Sequence, residues 1–107
     1  MLAGGLAAPV PDAYATAQRP QGRHHGWYRM QATLTDSELH KGVAAFHAQI
    51  EKHTAWLEDP LTKTNAFYSF DTRRQQALYS GWKQDIARHR ECIQILQGIL
   101  KERRHET

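Results

Sequence analysis

One cysteine in 107 residues, Cys92, leaves no partner for an internal disulfide, so folding cannot depend on an oxidising compartment. His-x-x-x-His and Cys-x-x-Cys are both missing, which removes the common chelating spacings of a zinc site. No apolar run approaches the roughly 20 residues that span a bilayer, so a membrane is not an expected partner. Proline is scarce beyond the start: three of the four lie within the first 21 residues. Ala13-Tyr14-Ala15 has the form of a signal-peptidase site, but no basic leader precedes it and Pro9 breaks the short apolar stretch. A secretory signal is therefore not expected.

What is present is ordinary for a small globular chain, with 23% charged and 40% hydrophobic residues. The net charge of +3 is unevenly spread. Residues 35–60 carry five acids against two lysines, whereas residues 61–107 carry nine Lys/Arg against five acids. An acidic helix beside a basic one is the natural reading, with a modest positive excess left for an anionic partner. Residues 1–21, rich in Ala, Gly and Pro, read as a flexible linker. Residues 22–107 read as one small helical domain, near the lower size limit for an independent core.

Two helices are legible, over about 35–58 and 71–103. The first opens on Thr35-Asp36-Ser37-Glu38, a capping box, with Leu34 and Leu39 at the staple positions. Leu39, Val43, Phe46, Ile50, His53 and Leu57 then form one apolar stripe, and Asp59-Pro60 stops it. The second begins near Asp71 or Thr72, with Thr72 and Gln75 offering another capping box. Its stripe runs Leu78, Trp82, Ile86, His89, Ile93, Leu96, Leu100. The aromatic connection, with Phe67, Tyr68 and Phe70, reads as a lid over the open end.

The expected fold is all-α: an antiparallel two-helix hairpin with an N-terminal segment packed on it, completed by a partner chain. Pairing outward from the connection sets Phe46 opposite Trp82 and Leu39 opposite His89. The second helix then outruns the first and leaves Ile93, Ile95, Leu96, Ile99 and Leu100 bare. So apolar a band needs a cover, either the segment 22–34 or another protein bound through Ile93, Leu96, Ile99 and Leu100.

The residues richest in chemistry are Gly22-Arg23-His24-His25-Gly26-Trp27-Tyr28-Arg29. Metal-free RNA cleavage needs a base for the 2′-hydroxyl, an acid for the leaving oxygen and a cation for the phosphorane. Histidine serves the first two near pH 7, arginine the third, and Trp27 or Tyr28 can stack a base. The plainer reading is that the two aromatics cover the Ile93–Leu100 band while the histidines face water. His53 interrupts an apolar stripe near Arg73 and Arg74, either as a bonded core histidine or as a functional one. Asp85, His89 and Cys92 share a helical face that His40 can approach, but their spacing is not diagnostic of a metal, and a histidine bonded to Asp85 beside a small apolar cysteine accounts for them. No cofactor or metal is expected.

In order along the chain stand His25-Gly26-Trp27-Tyr28, Glu38-Leu39-x-Lys41-Gly42, Ile50-Glu51-x-His53, Asp59-Pro60, Arg74-Gln75-Gln76, Trp82, Asp85-Ile86 and Ile95-Leu96-x-Gly98. This set, over residues 22–100, resembles small helical modules at the C-termini of bacterial polymorphic toxins delivered by Rhs, contact-dependent or type VI systems. The resemblance implies a junction with a delivery protein at the Ala/Gly/Pro-rich start, action in the cytoplasm of a target cell, and a cognate immunity protein as partner. It also implies nuclease action as a common activity, and marks His25, Tyr28, Lys41, His53 and Arg74 as the matched polar positions. The resulting expectation is a toxin effector that cleaves RNA. His25 and His53, with Tyr28 and Arg74, are its catalytic candidates; Arg23, His24, Trp27, Arg29, Lys41 and Arg73 are its substrate contacts. The alternative is a non-enzymatic immunity protein or adaptor that works through the Ile93–Leu100 band.

Overall fold

The capping box and the two apolar stripes become the two long helices of a computed structural model that describes residues 12–106. Among the described residues four helices follow in chain order: α1 (Ala13–Gln18), α2 (His25–Gln31), α3 (Asp36–Glu58) and α4 (Thr72–Glu106). Single 3₁₀ turns at Pro60–Thr62 and Phe67–Ser69 lie between α3 and α4. Among the described residues there is no strand, so the all-α class holds.

Local chemistry fixes the ends. Thr35 accepts from the Glu38 amide at 3.1 Å while Glu38 Oε1 accepts from the Thr35 amide at 2.9 Å, closing the capping box at α3. At α4 the cap is Asp71, not Thr72: its carboxylate accepts from the Arg74 amide at 2.8 Å, and Gln75 reaches back to the Phe70 carbonyl. Asp is among the strongest N-cap residues, so the switch costs nothing.

The long helices run antiparallel. Arg103 meets Asp36 at one end, Phe46 packs on His89 at 5.4 Å between centroids, and Trp56 meets Trp82 at 5.8 Å near the other. That register differs by two turns from the one expected, which put Phe46 opposite Trp82. The cause is the connection. Phe67 is fully buried and packs on Tyr79 and Trp82, so the 3₁₀ turns occupy the opening of α4 and push the α3 contacts down the helix.

The shift changes the fate of the apolar band. Ile93, Leu96, Ile99 and Leu100 are 6%, 1%, 5% and 8% exposed within this single chain. Leu96, Ile99 and Leu100 share one core with Ile95, with Leu39 of α3 and with Ala13 and Ala17 of α1, and Tyr14, Trp27, Tyr28 and Val43 pack around it. The four residues expected to bind a partner are thus buried within this chain. Each such side chain stabilises the fold by about 1.5–3 kcal/mol.

The expected linker 1–21 is corrected in part as well: its residues 13–18 are helical and docked on α4, while residues 1–11 lie outside the described residues. Gly98 makes that docking work, because a Cβ there would overlap the ring of Tyr14. The roughly 1 kcal/mol that a helical glycine costs is exchanged for a close helix contact.

Candidate functional site

The box does fold back onto α4, but its side chains are used differently from the expectation. His24 takes a left-handed backbone at φ 68°, the one described non-glycine residue with positive φ. Neither neighbouring glycine makes this turn. Gly22 instead lets the chain pass α1, since a Cβ there would collide with the Thr16 carbonyl oxygen, and Gly26 sits inside α2 with open space around it. A left-handed histidine costs on the order of 1 kcal/mol and marks a place worth explaining.

The explanation is Glu91. It is 6% exposed, and both Arg23 Nε and His24 Nε2 donate to its Oε1 at 2.8 Å. The turn at His24 aims its ring inward at this carboxylate. Burial alone would raise the carboxyl of Glu91, but the bonds from His24 and Arg23 outweigh it and hold it below its ordinary value. A cavity of about 30 Å³ adjoins the pair, lined by Ala13, Thr16, Arg23, His24 and Glu91, with room for about one water. Arg23 is 60% exposed along its side chain, so its terminal nitrogens face solvent while Nε is engaged.

His25 is tied elsewhere. Its Nδ1 donates to the Ala17 carbonyl at 2.7 Å, linking the start of α2 to the end of α1. Tyr28 packs edge-on to Tyr14 at 5.9 Å, and Trp27 packs edge-on to Phe46 at 5.9 Å. These two aromatics cover the Ile93–Leu100 band, as the plainer reading had it, while the histidines are engaged rather than turned to water.

A second polar group lies between α3 and α4. His53, 7% exposed, donates from Nδ1 to the Gln49 carbonyl at 2.7 Å, and its Nε2 stands 3.3 Å from Asp85 Oδ2. Arg88 holds the other oxygen of Asp85 at 3.1 Å. His89 lies 5.5 Å from His53 between centroids, and its buried Nδ1 has no hydrogen-bond partner among the described residues. Burial, then Arg88 and His53, push His89 below its ordinary value. Beside it the thiol of buried Cys92 is pushed up by burial, the opposite of a reactive cysteine. The histidine that faces Asp85 is thus His53, at ion-pair distance from across the interface. Among the described residues no three His, Cys, Asp or Glu side chains converge to hold a metal ion.

The remaining candidates do not gather with the box. Arg74 covers the ring of Phe70 at 3.9 Å, 17 residues before Glu91, which is about 25 Å along α4. Arg73 is exposed on the same first turn, and Lys41 and Arg29 are exposed on α3 and α2. The structure therefore brings together Arg23, His24 and Glu91, sets His25 and Tyr28 beside them in the α1–α2 layer, and keeps His53 and Arg74 apart. Glu91 was not among the sequence candidates. Its signal was its position: it shares a helical face with Ile95 and Gly98, four and seven residues on, where an unpaired carboxylate would be costly.

Against family models, curated proteins and solved structures, the chain has no match in any of the three comparisons.

Proposed function

We propose that this chain is a bacterial toxin effector domain, and that its reactive group is His24 held by Glu91 with Arg23 alongside. The observation that carries the reading is the left-handed His24 whose ring is fixed on a buried carboxylate. A carboxylate that accepts from one imidazole nitrogen sets the tautomer and leaves the other nitrogen as a base. On an RNA substrate that nitrogen would take the 2′-hydroxyl proton, while the free guanidinium end of Arg23 would neutralise the phosphorane. His25 would serve as the acid for the leaving oxygen, and Arg29, exposed on α2, would meet a neighbouring phosphate. His53 and Arg74, which lie apart from the box, take no part in this chemistry. Action in the cytoplasm of a target cell and a cognate immunity protein go with the toxin reading as parts of the same proposal.

The test is His24→Gln, in which the side-chain amide still donates to Glu91 but cannot take a proton. Induced in bacteria, the parent chain should halt growth and degrade cellular RNA within minutes. The variant should be harmless while unfolding at the same urea concentration. A harmless parent, or a variant that still kills, would remove the catalytic assignment.

A further inference from the structure

We infer that the open side of the α3–α4 pair is a docking groove for an acid-flanked amphipathic helix of a partner protein. Two depressions run end to end along this seam, away from the box. One is lined by His40 and Val43 of α3 with Leu100, Lys101 and Arg104 of α4. The next is lined by His47 and Ile50 with Arg90, Ile93 and Gln94. From Arg90 to Arg104 the groove is about 21 Å long, the length of a helix of about 14 residues.

Its lining repeats every seven residues. The floor pairs Val43 with Ile50 and Ile93 with Leu100; the walls pair His40 with His47, Gln94 with Lys101, and Arg90 with Gln97 and Arg104. A seven-residue repeat on both walls is the pattern that receives the a and d side chains of a third helix. Val43 and Ile50 are half-buried, so they have apolar surface left to cover.

Charge identifies the occupant. Arg90 and Lys101 stand along one wall, and the one acid in the lining, Asp36 at the end, is already gripped by Arg103. Flanking Glu or Asp at the e and g positions complements that wall. No Trp, Tyr or Phe lines either depression; the only rings there are the imidazoles of His40 and His47, so the groove lacks the large stacking platforms typical of single-strand binding.

The test does not use the reactive group and stands apart from the toxin reading. A labelled three-heptad peptide with Leu at a and d and Glu at e and g cannot pair with itself because its flanks repel. Fluorescence anisotropy should show it binding at least tenfold tighter than the same peptide with Lys flanks, or with its leucines scrambled off the stripe. The surface change Arg90→Glu with Lys101→Glu should invert that preference. Equal binding of all three peptides, or none by the Glu peptide, overturns the inference. So does a uridine 12-mer that binds in the Glu peptide's stead and is lost on Arg90→Glu, which would assign the groove to nucleic acid.

Discussion

Glu91 and His89 stand two residues apart on α4 and so point to nearly opposite sides of the helix, and the chain treats them in opposite ways. Glu91 faces the short α1–α2 layer, which brings two donors to meet it. His89 faces α3, which offers rings, Phe46 and His53, and leaves Nδ1 buried without a partner among the described residues. The short N-terminal layer is therefore more than a cover for apolar surface. It completes a polar group that α4 cannot satisfy alone, whereas the larger α3–α4 interface tolerates an unmet nitrogen. A satisfied buried group stabilises, and an orphaned one subtracts.

The strongest way to break this contrast is at Glu91. Glu91→Ala should destabilise the domain by about 2 kcal/mol, because His24 loses its acceptor and the strained turn loses its reason. Glu91→Gln keeps an oxygen in place and should cost less than half as much. Urea denaturation of the three proteins, followed by tryptophan fluorescence, gives the ranking. If alanine unfolds at the parent concentration, the α1–α2 layer is held by its apolar contacts alone.

The opposite sign is expected on the other side of the helix. His89→Phe keeps a ring against Phe46 and His53 and removes the unmet nitrogen, so stability should rise by about 1 kcal/mol. The same denaturation series measures it. A loss of similar size would show that the histidine ring serves a partner in solution.

Some of this was legible from the residues and some was not, for physical reasons. Both helices were, because caps, a seven-residue stripe and a proline stop are local signals. The all-α class followed from them. The register was not, because it depends on Phe67 filling the space beside Tyr79 and Trp82, a contact that no periodicity announces. Nor was α1, six residues whose helix rests on Tyr14 meeting Gly98 more than 80 positions later. The composition of the box marked where chemistry gathers. Which imidazole turns inward was decided by a backbone angle at His24 and by Glu91, a long-range partner that reads in the sequence as one more acid on a basic helix.

The smallest effect separates the two sides by pH. His89 is held below its ordinary value of 6.5, so between its folded pKa and 6.5 the unfolded chain binds the extra proton. Stability from the α3 side is then lost as pH falls from about 6.5, and the loss levels off once the folded ring also takes its proton. Glu91 is held below its ordinary value of 4.5, so its contribution is intact above 4.5 and is lost only as pH falls further, through its folded pKa. Unfolding midpoints taken from pH 8 to 3 should therefore fall in two stages. His89→Phe should flatten the upper stage and leave the lower, while Glu91→Gln should flatten the lower and leave the upper. If the His89 variant still loses stability between pH 6.5 and 5.5, another histidine carries that stage.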